Sequence, residues 1–136
     1  SYYPQTFTVS ANAVLLSISL GSIAAAVLAV NNWRDRVHDK SIGRQTLAVV
    51  LGDKTFTAVF RIMTALPLAL GLVMAAAPGF WPCLLVLLCL PLCLPLWKQF
   101  GTLQHEALNA TMFGCVKYEL AYSVLFSLGA LLACLL

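Results

Sequence analysis

Long runs of apolar residues, separated by short polar segments, dominate the chain. Four runs, at about 13–31, 56–77, 80–97 and 117–136, are near the length of roughly 20 residues that an α-helix needs to cross a membrane. They are continuously apolar, whereas the strands of a membrane β-barrel alternate apolar and polar residues. The pattern therefore predicts an all-α fold, a polytopic transmembrane helix bundle with about four spans in one domain.

Composition agrees with a lipid environment. Of the 136 residues, 61% are hydrophobic and only 10% are charged, whereas soluble domains carry about a quarter charged residues. The chain begins at Ser1 with the segment SYYPQT, which is typical of a loop inside a longer protein. We therefore expect the chain to be part of a larger protein.

The basic residues are distributed asymmetrically across the predicted membrane. When the four spans are threaded in order, segments 32–55 and 98–116 fall on one side, and all eight Lys and Arg residues lie on that side or within about two turns of it. Because Lys and Arg concentrate on the cytoplasmic side of membrane proteins, both segments are predicted to be cytoplasmic. No nucleic-acid partner is expected.

The segment 31–52, NNWRDRVHDKSIGRQTLAVVLG, carries the candidate chemistry. Asn31, Asn32, Asp35 and Asp39 fall within an arc of roughly 100° if the segment is helical. Carboxylates one turn apart repel each other by a few tenths of a kcal/mol, so a cation is expected beside them. Magnesium fits, since it prefers oxygen ligands and commonly takes one or two protein carboxylates, waters and phosphate oxygens.

Basic side chains surround this face and suit a phosphorylated ligand. Arg34, Arg36, Lys40 and Arg44 could neutralise phosphate charge that a metal leaves uncompensated. The alternative is a solvated cytoplasmic loop whose basic residues only set the topology.

The segment also resembles a known family. The pattern N-N-x-R-D-x-x-x-D-x-x-x-G-[KR]-x-T-L-A-V-x-L-G is similar to the second aspartate-rich motif of the UbiA superfamily of membrane prenyltransferases, closest to the branch that prenylates 1,4-dihydroxy-2-naphthoate in menaquinone synthesis. The matching residues are Asn31, Asn32, Arg34, Asp35, Asp39, Gly43, Arg44, Thr46, Leu47, Ala48, Val49, Leu51 and Gly52. Arg44 stands where the family often has lysine, and Val50 stands where a basic residue is common.

The resemblance implies that the spans correspond to helices six to nine of a nine-helix bundle, in the bacterial inner membrane. Asp35 and Asp39 would bind Mg²⁺ and act as catalytic residues. The diphosphate of a polyprenyl diphosphate would contact Asn31, Asn32, Arg34, Lys40 and Arg44. The family's first aspartate-rich motif, which completes this site, would belong to an N-terminal half outside this chain, so the chain alone is expected to be inactive.

Three alternatives differ in chemistry. A UbiA-type enzyme could prenylate another aromatic acceptor, such as 4-hydroxybenzoate. A transporter or channel subunit would place polar groups near the middle of the membrane, whereas the polar cluster here is predicted at its surface. A CDP-alcohol phosphotransferase would need DG and AR dipeptides, which this sequence lacks.

The charge asymmetry generates a topology prediction. In a background without native cysteines, single cysteines at Ser41 and Gly79 should react with impermeant thiol reagents from opposite sides of the membrane, with Ser41 accessible from the cytoplasm. Labelling of both positions from one side would show that the span count is wrong.

Overall fold

The structure, a computed structural model, describes residues 11–102 and 107–136. Within those ranges the chain forms α1 (Ala11–Ser41), α2 (Leu47–Ala75), a 3₁₀ helix (Trp81–Cys89) that continues into α3 (Leu90–Thr102), and α4 (Leu108–Leu135), with no strand. Four helical segments of this part are long and apolar enough to cross a membrane. The predicted all-α, four-span fold is therefore confirmed.

The helices extend beyond the apolar runs seen in the sequence. α1 has 31 residues, which corresponds to about 46 Å, against about 30 Å for the hydrocarbon core. Its last turns contain the polar motif and have room to stand outside the core. The segment 32–55, expected as a loop, is therefore helical at both ends, and only residues 42–46 connect α1 to α2.

Glycines with positive φ shape the two ends of this connection. Gly43, at φ 76°, allows the chain to turn back after α1, and the Arg44 amide donates to the Asp39 carbonyl at 2.8 Å. Gly52 interrupts α2 after its first turn, at φ 75° and ψ 174°. Residues with a side chain rarely adopt such a conformation, whereas glycine does so freely. The short turn 47–51 can thus lie at an angle to the rest of α2.

α1 packs against α2 and α4, and the 3₁₀ helix packs against α2 and α4. The core between them is apolar and closely filled, with Ile23 and Ala26 of α1, Phe60 of α2, and Tyr118 and Tyr122 of α4 all fully buried. Burial of such side chains is favourable in proportion to their contact area, and in a membrane close contact replaces hydrophobic driving force.

Pro67 lies inside α2 and makes the packing specific. Because proline has no N–H, the carbonyl of Met63 loses its usual donor. Ser22 of α1 donates to that carbonyl at 2.6 Å. From α4, Tyr118 donates to the Thr64 carbonyl at 2.8 Å, and Tyr122 donates to the Pro67 carbonyl at 2.9 Å. Side chains of two neighbouring helices thus satisfy the carbonyls around the proline, as membrane bundles require.

This arrangement predicts that Ser22→Ala destabilises the full-length protein by about 1 kcal/mol, since it leaves the Met63 carbonyl without a donor. Pro67→Ala restores a backbone N–H, so the same change should cost much less in that background. Unfolding in detergent micelles would measure both values. Ser17→Ala is the control, because its hydroxyl bonds within α1 to Ala13 on an exposed surface. Equal costs of Ser22→Ala in both backgrounds would refute this account.

Candidate active site

An aromatic cluster anchors the motif end of α1 to the bundle. Trp33, in the middle of the motif, is buried and stacks on Phe56 of α2 with ring centroids 5.3 Å apart. It also contacts Phe100 of α3 at 5.4 Å, and Phe100 stacks on Phe60 at 4.0 Å. Aromatic pairs at these distances add to the stabilisation from burial alone. The cluster fixes the rotation of α1, and so determines which motif side chains face away from the core.

Arg34, next in sequence, is the centre of a polar network. Its Nε donates to one Asp35 carboxylate oxygen at 2.9 Å, and its Nη2 donates to the other at 3.1 Å and to the Asn31 side-chain oxygen at 2.6 Å. Its Nη1 donates to the side-chain oxygen of Asn109, at the start of α4, at 2.8 Å. The planar guanidinium matches a carboxylate with two parallel bonds, so Asp35 is held and neutralised.

Asp39 occupies a different environment one turn later. Its side chain is only 6% exposed, against 43% for Asp35, and its recorded ion pair is with Arg44 at 3.6 Å. The turn at Gly43 brings Arg44 back toward the end of α1, as the backbone bond between Arg44 and Asp39 shows. Arg44 is itself exposed, so this pair joins a buried carboxylate to a cation that water still solvates.

The structure places most of the predicted site residues in two small groups at the motif end of α1 and directs Lys40 away from Asp35. Asn31, Arg34 and Asp35 form one network, and Asp39 with Arg44 forms a second pair. Asn32 is half-buried on the same helix. Lys40 lies about 140° around the helix from Asp35. Lys40 instead lines a groove of about 410 Å³ between α1 and the first turns of α2. The residues that line this groove are Arg36, Val37, Lys40, Ala48, Val49, Gly52 and Asp53.

Asn109 is the site residue that sequence reasoning missed. It lies in the predicted cytoplasmic segment 98–116, and its distance of 75 positions from Arg34 hides the contact in the sequence. The available signal was that Asn109 is the lone side-chain amide of its helix and lies in the first turn. The sequence also places His105 and Glu106 in segment 98–116, where they could form part of a lid over the site, but both lie outside the described residues.

The donors present fit a magnesium ion only as one part of a site. Among the described residues no three His, Cys, Asp or Glu side chains converge as metal ligands. The oxygens of Asp35, Asp39, Asn31 and Asn32 are nevertheless of the type that Mg²⁺ prefers, and the ion commonly takes one or two protein carboxylates together with waters and phosphate oxygens. Arg34 bonds each oxygen of Asp35 once, and each carboxylate oxygen has a second lone pair, so Asp35 keeps acceptor sites that a metal ion could use.

The fold and site together define a class: a polytopic helical membrane protein with an acidic, amide-rich and basic cluster where one long helix ends. A model of the UbiA prenyltransferase family matches residues 1–118. The chain belongs to the UbiA prenyltransferase family.

Two curated relatives extend the match over nearly the whole chain. The 1,4-dihydroxy-2-naphthoate octaprenyltransferase of Haemophilus influenzae is 31% identical over 97% of this chain and 44% of its own length. The protein of the same name from Bacillus subtilis is 28% identical over 98% of this chain and 43% of its own length. The chain thus spans less than half the length of these relatives. No solved structure matches it significantly.

Proposed function

We propose that the full-length protein transfers a polyprenyl group from a polyprenyl diphosphate to an aromatic acceptor, 1,4-dihydroxy-2-naphthoate, in menaquinone biosynthesis. Membership of the prenyltransferase family and the activity for which both relatives are named support this. The structural observation that carries the proposal is the network of Asn31, Arg34, Asp35 and Asn109. It combines carboxylate, amide and guanidinium groups at one end of an apolar bundle, as an amphiphilic diphosphate requires.

The residues have separate tasks in this mechanism. Asp35 and Asp39, with Asn31 and Asn32 beside them, would hold Mg²⁺, which neutralises diphosphate charge and makes it a better leaving group. Arg34 and Arg44 would bind the diphosphate oxygens, and Lys40 would approach from the groove beside α2. The bond between prenyl C1 and oxygen breaks, its electrons leave with the diphosphate, and an electron-rich ring carbon supplies the new bond to C1. The carboxylate of the naphthoate then leaves as carbon dioxide, and the electrons of that bond restore the aromatic ring. Fixed charges that stabilise the charge developing in the transition state usually supply much of an enzyme's rate enhancement.

The surrounding helices suit the other half of the substrate. A polyprenyl tail is as apolar as the lipid, and the spans present apolar side chains around the core, for example exposed Leu28, Ile62 and Leu120. The motif end would face the cytoplasm of a bacterial cell membrane, because the basic residues cluster there.

This chain would supply one wall of the site. Since it covers 44% and 43% of its two relatives, we propose that a further N-terminal segment contributes the first aspartate-rich motif opposite α1. Without it, a bound diphosphate would lose half of its contacts, and the correct positioning of reactants accounts for a large part of the rate. The chain alone would then insert in membranes without catalysing transfer.

A transporter is less well supported by the described residues. Several polar side chains within the spans bond to backbone carbonyls rather than lining a path: Ser22 to Met63, Tyr118 to Thr64 and Tyr122 to Pro67. A related enzyme with another aromatic acceptor has no structural observation in its favour.

The metal role predicts that Asp35→Asn or Asp39→Asn reduces prenyl transfer by at least about a hundredfold, the usual effect of losing an electrostatic group at a reacting centre. Transfer would be measured in membranes from isotope-labelled polyprenyl diphosphate and 1,4-dihydroxy-2-naphthoate, with and without Mg²⁺. Glu119→Gln, a half-buried carboxylate farther along α4, is the control and should retain activity.

Membrane insertion of each variant, followed by immunoblot, separates loss of chemistry from loss of protein. Wild-type turnover of 4-hydroxybenzoate with the naphthoate inert would contradict the acceptor assignment. Full activity in both aspartate variants would contradict the metal assignment.

A further inference from the structure

Asn109 joins the motif helix to a second helix. It lies in the first turn of α4, and its side-chain oxygen accepts a hydrogen bond from Arg34 Nη1 at 2.8 Å. The other bonds recorded for Arg34, to Asp35 at 2.9 and 3.1 Å and to Asn31 at 2.6 Å, remain within α1. The bond to Asn109 therefore anchors the Arg34 guanidinium to a second helix, α4.

These four hydrogen bonds, to Asp35, Asn31 and Asn109, define the plane of the Arg34 guanidinium. The group presents five N–H donors in a fixed planar fork. Nε and Nη2 face Asp35 and Asn31, while Nη1 faces Asn109. A long side chain that is held in its binding orientation before the ligand arrives loses less freedom on binding, which raises affinity without a new contact. At 26% side-chain exposure, Arg34 still reaches the open surface.

We propose that Asn109 is a positioning residue that orients Arg34 for a diphosphate. This rests on the proposed function, since diphosphate is the ligand that Arg34 would bind. If a metal ion drew Asp35 away from Arg34, the bonds within α1 to that carboxylate would be lost. Asn109 then keeps the guanidinium beside the ligand, so the start of α4 takes part in the site through Arg34 without touching the substrate.

The test measures binding of inorganic pyrophosphate with Mg²⁺ to the full-length protein in detergent by isothermal titration calorimetry. Asn109→Ala should weaken binding by up to about tenfold, because the Arg34 side chain, no longer held in place, would lose its freedom only when the ligand binds. It should raise KM for the polyprenyl diphosphate and change kcat much less. Asn109→Ser, whose side chain is too short to reach Arg34, gives the same test if the alanine variant is not recovered.

Two comparisons separate positioning from a general loosening of α4. Gln99→Ala removes another side-chain bond near this end of α4, from Thr111 to Gln99 at 3.3 Å, and should leave pyrophosphate affinity unchanged. Arg34→Ala should lower affinity itself, and adding Asn109→Ala to it should cause no further loss, because contacting residues that act as a unit are not additive.

The outcomes distinguish this proposal from the proposed function. If wild-type protein binds pyrophosphate and transfers prenyl groups but Asn109→Ala binds equally well, only the role of Asn109 is overturned. Additive losses in the double variant would overturn the route through Arg34. Wild-type protein that neither binds pyrophosphate nor transfers prenyl groups would overturn both proposals.

Discussion

Every backbone carbonyl inside a membrane needs a hydrogen-bond donor from the protein itself. Around Pro67 this requirement is met by side chains of neighbouring helices, and it thereby determines how the bundle packs. The proline removes the donor to Met63, and Ser22 of α1 replaces it. Tyr118 and Tyr122 bring α4 to the same part of α2. Three helices are thereby held in one relative position, and the end of α1 must meet the start of α4 where Arg34 and Asn109 bond.

The pairing of charges at the motif changes how its carboxylates are interpreted. Repulsion between Asp35 and Asp39 pointed to a nearby cation, and the structure provides two within the chain, Arg34 and Arg44. The repulsion alone amounts to only a few tenths of a kcal/mol, so it does not require a metal. Mg²⁺ is proposed instead because the site offers oxygen donors and the chain belongs to the UbiA prenyltransferase family. Arg34 keeps the Asp35 carboxylate ionised and oriented, because its hydrogen bonds hold the pKa of that carboxyl below the usual value.

The four spans and the polar face of α1 were predictable because each depends on residues close together in sequence. Continuous apolar runs indicate the spans, and the helical repeat indicates the polar face. Asn31 and Asp35 needed only the helical repeat to be placed together, and the structure joins both to Arg34. Asn109 was not predictable, since a contact across 75 positions depends on how two helices cross. Gly52 could be expected to permit a turn because it is a glycine, but the sequence did not reveal the backbone angles that interrupt α2 there.

Helix limits were harder to predict than helices. Hydropathy ends a span where polar residues begin, yet α1 continues through the motif to Ser41. Trp33 explains the difference: its burial against Phe56 and Phe100 stabilises helical backbone beyond the apolar run. The site is consequently built on a rigid helix end rather than on a loop, which suits groups that must be held in place before the ligand binds.

Metal-specific rescue tests most directly whether Asp35 is a ligand of the catalytic ion. A thiolate is a poor ligand for Mg²⁺ and a good one for Cd²⁺, because soft ligands select softer metals. The full-length Asp35→Cys variant should therefore lose prenyl transfer with Mg²⁺ and regain part of it with Cd²⁺, while Asp35→Ala stays inactive with both ions. Equal activity of Asp35→Cys and Asp35→Ala with every metal tested would contradict the central claim that the motif end of α1 binds the metal.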